Sequence, residues 1–534
     1  MNQSKNRSHA PLKRTFLRQA LGLAAISCAA LGGALSNAAA AETARGVVFY
    51  DINKNGERDQ GEPGLPNIRV SNQREIVFTD EEGRWALPAS DDAIFFVIKP
   101  SGFTPPLSAN NLPQFYYIHK PAGSPKTKYA GVAPTGDLPD SIDFPLLRQE
   151  EPETFQAIFF GDPQPTSQQQ IDYIAHDVVE ELIGTEAKFG VTLGDILFDD
   201  LSLFESMNRT VALIGVPWFN VIGNHDINFD APTDELSDET FERVYGPAYY
   251  SFDYGKVHFV VLDNVNWLGR KPEGPGKYVG GLGEKQIAFV KNDLKSVPEE
   301  KLVVLMMHIP LNGVEDRGAL YRLIENRPYT LSISGHTHTQ EQRFLGKEDG
   351  WQGRKPHHHI VNVTVSGTWW KGSLDERGIP HATMRDGAPN GWSVITFDGE
   401  RATFDFRAAG RPAHYQMNVM APEAVAAAET GTTDVYVNVF AGSERSTVEM
   451  RVGWDGEWKK LKHVREKDPF YTAVRDREMA TTPAPPQLNG PVDSSHLWKG
   501  KLPAALPVGT HTIFVRTRDL YGRYFHAKRV IRVQ

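Results

Sequence analysis

The sequence Phe-Gly-Val-Thr-Leu-Gly-Asp-Ile-Leu fills residues 189–197 and joins an apolar run to a Gly-Asp pair. Short apolar runs rich in β-forming residues predict strands that are covered on both faces of a sheet. Four other segments also place polar residues after an apolar run: Gly161-Asp162-Pro163-Gln164, Gly223-Asn224-His225-Asp226, Met307-His308-Ile309-Pro310 and Gly335-His336-Thr337-His338. Ligands on open α/β sheets gather at the carboxyl ends of strands. We therefore expect the five segments to converge on one edge of the sheet.

The polar residues of these segments are types that bind metal ions. Carboxylates and carboxamides suit hard divalent cations, and imidazoles suit zinc, iron and related metals. Two such cations held close together stabilise both the attacking and the leaving oxygen in phosphoryl transfer. Each residue alone could be an ordinary polar loop residue, but five segments in this order predict a two-metal site. Its candidate ligands are Asp162, Gln164, Asp195, Asn224, His308, His336 and His338.

The order of the five segments resembles that of the calcineurin-like metallophosphoesterases, whose pattern runs D-x-H, G-D, G-N-H-D/E, H and G-H-x-H. The resemblance implies a four-layer α/β/β/α core, in which two sheets lie between layers of helices. It implies two divalent metal ions, manganese, iron or zinc, with Asp195 bridging them. One metal would be held by Asp162, Gln164, Asp195 and His338, and the other by Asp195, Asn224, His308 and His336.

The same resemblance assigns roles to the two residues that follow Asn224. His225 is expected to face the scissile phosphate, and Asp226 is expected to orient its ring. One position departs from the family pattern, because Gln164 stands where a histidine is usual. An amide oxygen is a harder and weaker ligand than an imidazole, so the metal at that position is left open.

These residues predict a dimetal phosphoesterase that hydrolyses phosphate monoesters or diesters with a metal-bridging hydroxide, assisted by His225. The alternative is a noncatalytic surface or carbohydrate-binding protein built on the same fold. The intact Asn224, His225 and Asp226 favour the enzyme, because a binding protein has no need of His225. A phosphoprotein phosphatase fits an exported protein less well. The sequence leaves the substrate, the ester type and the oligomeric state open.

Residues 1–41 have the layout of a signal peptide. Basic residues between Lys5 and Arg18 precede the apolar stretch Ala20–Leu35 and the small residues at 38–40. The pair Lys13-Arg14 suits a twin-arginine-like signal, and an ordinary secretory signal is equally compatible. We therefore expect a periplasmic or secreted protein, with no integral membrane segment after the signal is removed.

The charge and the cysteine content exclude other classes of protein. The net charge of −9 becomes −14 when the five basic residues of the signal are lost. An acidic chain lacks the basic face that phosphate backbones require, so no nucleic acid is expected as a partner. The single cysteine, Cys28, lies in the signal, so we expect no disulfides in the mature chain.

Residues 42–150 are predicted to form an amino-terminal β-sandwich. Its loop at residues 51–62 has the residue spacing of a calcium loop of the EF-hand kind, although strands flank it. It resembles the calcium-bearing, prealbumin-like B repeats of bacterial surface proteins, and a solvated Asn/Gly turn is the alternative. The candidate calcium ligands are Asp51, Asn53, Asn55, Asp59 and Glu62. Residues 134–154, rich in proline and acids, are predicted to be a linker.

Residues 151–408 are predicted to be the phosphoesterase domain, and residues 409–534 a linker or short helix followed by a carboxyl-terminal β-sandwich. Trp369, Trp370 and Asn390 are candidate substrate contacts, because paired aromatics can stack on a leaving group; packing between domains is the alternative. The run His357-His358-His359 is expected to be solvated, since adjacent residues on a strand cannot face one metal.

Overall fold

The computed structural model describes residues 42–270 and 276–534, so the predicted signal at residues 1–41 lies outside the described residues. Eight strands form two four-stranded sheets at the amino-terminal end, with strand orders β4-β1-β8-β6 and β3-β2-β5-β7. The strands are β1 (Thr43–Tyr50), β2 (Arg69–Ser71), β3 (Ile76–Phe78), β4 (Arg84–Pro88), β5 (Ala93–Val97), β6 (Phe103–Thr104), β7 (Tyr116–His119) and β8 (Phe144–Arg148). The linker prediction for residues 134–154 is wrong at β8, which pairs in parallel with β1 through Val48 and Phe144.

Two mixed sheets form the central part of the fold, with strand orders β11-β10-β9-β20-β21 and β12-β13-β16-β17-β19-β18. Strands β9, β10 and β11 are parallel in the first sheet, and β13, β16, β17 and β19 are parallel in the second. The strands of this part are β9 (Thr154–Phe160), β10 (Phe189–Leu193), β11 (Trp218–Val221), β12 (Tyr250–Tyr254), β13 (Val257–Val261), β14 (Val265–Trp267), β15 (Tyr278–Gly280), β16 (Leu302–Met306), β17 (Thr330–Ser334), β18 (Glu341–Leu345), β19 (His357–Val361), β20 (Gly391–Asp398) and β21 (Arg401–Ala408). Strands β14 and β15 pair with each other in a separate two-stranded sheet.

The helices of this part cover the outer faces of the two sheets. They are α1 (Gln168–Ile174), α2 (Glu180–Leu182), α3 (Phe204–Ala212), α4 (Glu239–Tyr245), α5 (Gly283–Leu294) and α6 (Arg317–Ile324). A π-helical turn at Ala175–Val179 joins α1 to α2. Ile171, Ile174 and Val178 are buried, whereas Ile183 is exposed because the helix ends at Leu182.

Alternation along β9 shows how the layers are built. Phe159 belongs to the core shared with the second sheet, whereas Ile158 and Phe160 belong to the core under α1 and α3. Phe189 of the first sheet packs edge-on against Phe259 of the second, with ring centroids 5.3 Å apart. Burial of one such ring stabilises the fold by roughly 1.5–3 kcal/mol. The four-layer arrangement that the sequence predicts is confirmed.

Nine strands and one helix form the carboxyl-terminal part, in sheets of order β22-β24-β28-β27 and β23-β30-β29-β25-β26. They are β22 (Met417–Met420), β23 (Ala424–Val425), β24 (Asp434–Val439), β25 (Thr447–Val452), β26 (Lys459–Lys460), β27 (Lys462–Lys467), α7 (Pro469–Met479), β28 (Asp493–Lys501), β29 (Gly509–Arg518) and β30 (Tyr524–Val533). Residues 409–431, predicted to be a linker or a short helix, contain β22, β23 and most of a 3-10 helix at Ala427–Thr432. The linker prediction is wrong at the two strands, and a short helix is present. Helix α7 was not predicted.

Polar networks join the two β-rich ends to the central sheets. Arg69 of β2 pairs with Asp253 at 2.9 Å and with Asp293 at 2.8 Å. His496 of β28 contacts Asp386 at 3.0 Å, and the Asp386 carboxylate accepts the backbone N–H of Gln340, two residues beyond His338. Burial makes such contacts strong but costly to break. Across the described residues, we find no helix with the length and apolar character needed to cross a membrane.

Candidate metal centre

The five segments predicted from the sequence lie after β9, β10, β11, β16 and β17, at the carboxyl ends of strands from both central sheets. His308, from the segment after β16, is the residue on which the segments after β10, β11 and β17 meet. Its Nε2 atom lies 3.0 Å from Asn224 Oδ1, 3.1 Å from His336 Nδ1 and 3.2 Å from Asp195 Oδ1. Asp195, His308 and His336 form the one group of three carboxylate or imidazole ligands within 4.8 Å of one another in the described part of the chain.

The electrostatics of this group favour a cation among its atoms. His308 Nδ1 lies 2.9 Å from the Leu193 carbonyl, which fixes a proton on Nδ1 and turns Nε2 towards Asn224 and Asp195. Burial opposes the imidazolium form, but the Asp195 carboxylate outweighs burial and raises the pKa of His308 to about 9. Burial and the neighbouring His308 lower the pKa of His336 to about 4. A proton or a divalent cation supplies the positive charge that these groups share.

A second cluster lies beside the first. The Asp162 carboxylate accepts the His336 backbone N–H at 2.9 Å, and His338 Nε2 lies 3.4 Å from it. His338 Nδ1 contacts the Gly367 carbonyl at 2.6 Å, so its Nε2 faces Asp162. Gln164 Nε2 donates to Asp195 at 2.6 Å, whereas Gln164 Oε1 is buried and has no hydrogen-bond partner. Buried acceptors normally have a partner, and an unpartnered amide oxygen suits a hard cation.

The backbone at these segments is held in an unusual conformation. Five of the seven predicted ligands have φ in the left-handed region: Asp162, Gln164, Asp195, His336 and His338. For residues other than glycine this conformation costs of order 1–3 kcal/mol and concentrates at functional sites. The packing around the segments therefore maintains side-chain positions that the local sequence would not choose.

Two of the glycines in these segments are required by close approach. A Cβ atom at Gly223 would lie 2.0 Å from the Asp195 backbone nitrogen, and one at Gly335 would lie 2.3 Å from Asp162 Oδ1. Both contacts are shorter than van der Waals distance. The loops can approach each other closely enough to share ligands only because these two positions have no side chain.

His225 is oriented by a residue that the sequence prediction did not name. Its Nδ1 atom lies 2.6 Å from Asp199 Oδ1, and Phe198 stacks on its ring with centroids 4.3 Å apart. Burial opposes the imidazolium form, but Asp195 and Asp199 outweigh it and raise the pKa of His225. With Nδ1 committed to Asp199, Nε2 is the atom left to meet a ligand. The signal was present in the sequence, since Asp199 follows Asp195 by four residues in the same loop.

Asp226, to which the sequence prediction gave that role, lies elsewhere. Its carboxylate accepts the backbone N–H groups of Ile196, Leu197 and Gly223 at 3.1, 3.0 and 2.9 Å. Burial and the nearby Asp195 raise its pKa to about 7. The orienting role is therefore corrected from Asp226 to Asp199, and Asp226 instead ties the loop after β10 to the loop after β11.

The three candidate substrate contacts have different surroundings. The Trp369 ring is half-buried and stacks on His338, with centroids 4.0 Å apart. The buried Trp370 indole donates to the Pro163 carbonyl at 3.1 Å. Asn390 is also buried and donates to Asp177 at 2.8 Å. Trp369 therefore lies at the metal centre, whereas Trp370 and Asn390 form hydrogen bonds with other groups of the protein.

The predicted calcium ligands lie in one loop after β1, bonded mainly to the loop itself. Asp51 accepts the backbone N–H groups of Lys54 and Gly56, and Glu62 accepts that of Ile52 at 2.7 Å. Asn53 and Asn55 both donate to Asp59, at 2.7 and 2.9 Å. The carboxylates of Asp51, Asp59 and Glu62 do not form a group within 4.8 Å among the described residues. Calcium binding at this loop stays a prediction.

The expectation that residues 357–359 are solvated is wrong. His357 and His359 are buried on one side of β19, where Ser332 Oγ lies 2.8 Å from the first ring and 2.7 Å from the second. His358 points to the opposite side and contacts Gln342 at 2.6 Å. Burial lowers the pKa of His357 to about 3 and that of His358 to about 4. The alternation along the strand agrees with the argument that the three rings cannot share one metal.

Comparison with known proteins assigns the family. The profile described as "Calcineurin-like phosphoesterase" matches residues 156–340. The profiles for the N terminal and the C terminal of calcineurin-like phosphoesterase match residues 52–130 and 359–525. This chain belongs to the calcineurin-like phosphoesterases. The three profiles follow one another along the chain and cover the amino-terminal sheets, the central sheets and the carboxyl-terminal sheets of this calcineurin-like phosphoesterase.

Individual relatives of this calcineurin-like phosphoesterase are distant. "Probable inactive purple acid phosphatase 9" of Arabidopsis thaliana is 26% identical over 211 residues, which are 34% of this chain and 30% of the relative. A "Probable glycerophosphodiester phosphodiesterase" of Arcobacter nitrofigilis is 22% identical over 170 residues, which are 30% of this chain and 59% of the relative. The chain thus spans less than two thirds of the length of either curated relative.

Among solved structures, a purple acid phosphatase from yellow lupin seeds (Lupinus luteus) is 12% identical to this calcineurin-like phosphoesterase, with a TM-score of 0.34. The match covers 64% of this chain and 67% of that chain.

Proposed function

We propose that this protein hydrolyses phosphate esters at a centre of two divalent cations. The single observation that carries the proposal is the meeting of His308 Nε2 with Asn224 Oδ1, His336 Nδ1 and Asp195 Oδ1, all within 3.2 Å. When a metal ion displaces the Nε2 proton of His308, these four atoms offer a set of lone pairs that suits a divalent cation. Membership of the calcineurin-like phosphoesterases supports the same chemistry.

The residues that would hold the two cations fit them. Asn224, His308 and His336 offer one amide oxygen and two imidazoles, which suit a borderline metal such as zinc, iron or manganese. Asp162, Gln164 and His338 would hold the other cation, and the unpartnered Gln164 Oε1 is an oxygen that such a cation would use. Asp195 lies between the two sets, in contact with His308 at 3.2 Å and with Gln164 at 2.6 Å. It would bridge them.

Two bound divalent cations would supply an activated water and would neutralise charge on the phosphate. The chain adds a positioned imidazole. Asp199 holds a proton on His225 Nδ1, and Phe198 fixes the plane of the ring. The raised pKa of His225 favours its imidazolium form, which can donate its Nε2 proton to the leaving oxygen as a general acid.

The test is hydrolysis of p-nitrophenyl phosphate and bis-p-nitrophenyl phosphate, each with Mn²⁺, Fe²⁺ or Zn²⁺ and with a chelator as control. We expect turnover that depends on metal and falls by about 10²–10⁴-fold in His225→Ala, the range for a general acid. Preference for one reagent assigns the protein to monoesters or diesters. Metal binding without turnover of either reagent would instead support a noncatalytic surface or carbohydrate-binding protein.

We also propose that the protein is exported to the periplasm or secreted. The support is the order of basic, apolar and small residues within residues 1–41. Mass spectrometry of the exported form should show a mature chain that begins near Ala41 or Glu42. Retention of the basic segment in the extracytoplasmic protein would contradict this proposal.

A further inference from the structure

A cavity of about 510 Å³ lies between the central sheets and the carboxyl-terminal part of the chain. Three cationic side chains line it: Lys371, Arg385 and Arg475. The first two come from loops between β19 and β20, and the third comes from α7. The rest of the lining is residues 487–490, which contain no carboxylate. Three positive charges therefore face one space.

Each cation is fixed by a neutral oxygen of the segment 487–490. Lys371 Nζ donates to the Asn489 side chain at 3.0 Å, and Arg385 Nε donates to the Gly490 carbonyl at 3.0 Å. Arg475 Nε donates to the Leu488 carbonyl at 3.1 Å. These contacts orient the side chains but leave their charges uncompensated.

Acidic partners are scarce at this place. In residues 42–270 and 276–534, neither Lys371 nor Arg385 has a carboxylate oxygen within 4.0 Å, and Arg475 has only the exposed Asp476 at 3.9 Å. An exposed ion pair at that distance contributes little. Guanidinium groups match phosphate geometry and bind it with charge-assisted hydrogen bonds. The cavity thus presents oriented donors that an anion would satisfy.

The edge of the cavity formed by Lys371 lies near the metal centre. Trp369 stacks on the candidate ligand His338 at 4.0 Å between centroids, and Lys371 Nζ lies 5.8 Å from the Trp369 ring. Together these distances place the Lys371 ammonium no more than about 10 Å from the His338 ring. Trp369 and Trp370 both have φ in the left-handed region, and Trp370 is bonded to Pro163 beside Gln164. The loop that carries Lys371 is therefore anchored to the metal centre.

We propose that this cavity binds a second phosphate group of the substrate, while the metal centre holds the phosphate that is cleaved. The inference rests on the proposed phosphoesterase function and deepens it, since the preferred substrate becomes an ester that carries two separated phosphates. It also gives the carboxyl-terminal part a role in recognition. Helix α7 supplies Arg475, and Tyr471 of the same helix donates to the Asn489 carbonyl at 2.7 Å and so holds the segment 487–490.

A series of alkanediol bisphosphates, from propanediol to octanediol, tests the proposal in the full-length protein. We expect kcat/KM to exceed that of p-nitrophenyl phosphate at one intermediate chain length, because only that length spans both sites. Arg385→Ala should lower the ratio of kcat/KM for the best bisphosphate to kcat/KM for p-nitrophenyl phosphate by about tenfold or more, mainly through KM. Arg385→Lys should restore part of that loss.

The matched control is Arg477→Ala. Arg477 is an exposed arginine of α7, the helix that supplies Arg475, and it does not line this cavity. It should leave the ratio unchanged. An equal ratio in wild type and Arg385→Ala, or no preference for any bisphosphate, would overturn the proposal while leaving the phosphoesterase function in place.

Absence of turnover on every ester would instead overturn the proposed function. The cavity is then tested by calorimetric titration of wild type and Arg385→Ala with the same bisphosphates. Weaker binding by at least about tenfold in the variant supports the anion site, and equal binding or no binding refutes it.

Discussion

His258 and His308 are both fully buried beside carboxylates, but their surroundings differ in one respect. His258 Nδ1 lies 2.8 Å from Asp253 and its Nε2 lies 2.8 Å from Asp293, so both ring nitrogens have an anionic partner. Arg69 pairs with the same two carboxylates. His308, by contrast, directs its Nε2 at Asn224 Oδ1 and at the nitrogen of another imidazole.

The two clusters differ in whether a permanently charged Lys or Arg side chain pairs with their carboxylates. The two carboxylates around His258 face Arg69, the imidazolium and Lys301, whose Nζ lies 3.2 Å from Asp253, so the ion cluster is closed. Among the described residues, Asp162 and Asp195 have no Lys or Arg nitrogen within 4.0 Å, and their partners are histidines. A buried anion requires a compensating charge. The His258 cluster contains the cations that neutralise its carboxylates, and it joins β2 to the second central sheet. The carboxylates of the metal centre leave room for divalent cations.

The largest expected effect is a loss of turnover on substitution in the metal centre, which the His258 cluster should not share. Asp195→Asn removes the charge between the two metal positions, so we expect turnover to fall by at least about 10³-fold, a loss beyond that of outer-shell partners. Metal stoichiometry by elemental analysis and kcat for p-nitrophenyl esters are the measurements. Near-normal turnover with both metals bound would end the two-metal interpretation.

The matched control for Asp195→Asn is Asp253→Asn. It breaks the closed cluster and should cost about 3–5 kcal/mol of the free energy of unfolding, as for other buried pairs that lose one partner. Turnover per folded molecule should stay near that of wild type. Urea unfolding and active-site titration distinguish the two outcomes.

Asp199→Asn sharpens the comparison at the edge of the metal centre. It keeps the shape of the side chain but removes the charge that orients His225, so kcat should fall by about 10–100-fold, as for other outer-shell partners. Metal content should be unchanged. Asp226→Asn should lower stability more than kcat. The opposite pattern would restore the orienting role to Asp226.

Gln164 tests whether the orphaned oxygen binds metal. Gln164→Ala should lose metal from one position and retain it at the position of Asn224, His308 and His336. Gln164→His should raise zinc affinity at the first position by about tenfold, because imidazole suits zinc and zinc binds more tightly than manganese in the usual order. Elemental analysis and competition with a zinc chelator measure both. Full occupancy and unchanged activity in Gln164→Ala would remove Gln164 from the ligand set.

The contribution of the His258 cluster to the free energy of unfolding should depend on pH, and the raised pKa of His258 sets the sign of that dependence. Burial opposes the imidazolium of His258, but Asp293 and Asp253 outweigh burial and raise its pKa. A histidine whose pKa is higher in the folded than in the unfolded state stabilises the fold fully at pH values below the unfolded pKa of about 6.5. That stabilisation is lost as the pH rises through the folded pKa. The stability difference between wild type and His258→Gln, measured by urea unfolding, should therefore shrink as pH rises above 6.5. A difference that grows with pH would contradict the closed-cluster description.

The smallest expected effect concerns calcium at residues 51–62, where the candidate carboxylates have no ion pair with Lys or Arg among the described residues. Calcium should raise the thermal midpoint of the full-length protein slightly through mass action, since a ligand that binds only the folded state stabilises it. Glu62→Gln should reduce that rise and leave turnover unchanged. An unchanged midpoint in wild type would make the loop a solvated turn.

Much of the fold and several parts of the site follow from local sequence. The five strands before the metal segments are present near their predicted positions, because a fully buried parallel strand is a short apolar run that local pattern reveals. Phe189–Leu193 is predicted to the residue. The placement of Asp195 after it needs only the rule that sites lie at the carboxyl ends of strands.

Neighbours in sequence are not the partners in space at positions where long-range contacts decide the structure. Asp226 is adjacent to His225 in the chain, but the loop after β10 brings Asp199 to the ring instead. Residues 357–359 look solvated in isolation, yet Ser332 of β17 accommodates His357 and His359 in the core. In both cases the deciding partner lies more than twenty residues away, so no local window contains it.

The sequence by itself determined the identity of the metal-binding segments and their order, because each is a short local pattern after a buried strand. Only the tertiary structure decided which carboxylate orients His225, which histidine cluster is closed by Arg69, and which cations line one cavity. Lys371 and Arg475 lie 104 positions apart in the chain, and the packing of the central and carboxyl-terminal parts brings them and Arg385 to one cavity. Charge balance depends on distance in space, and chain order does not encode that distance.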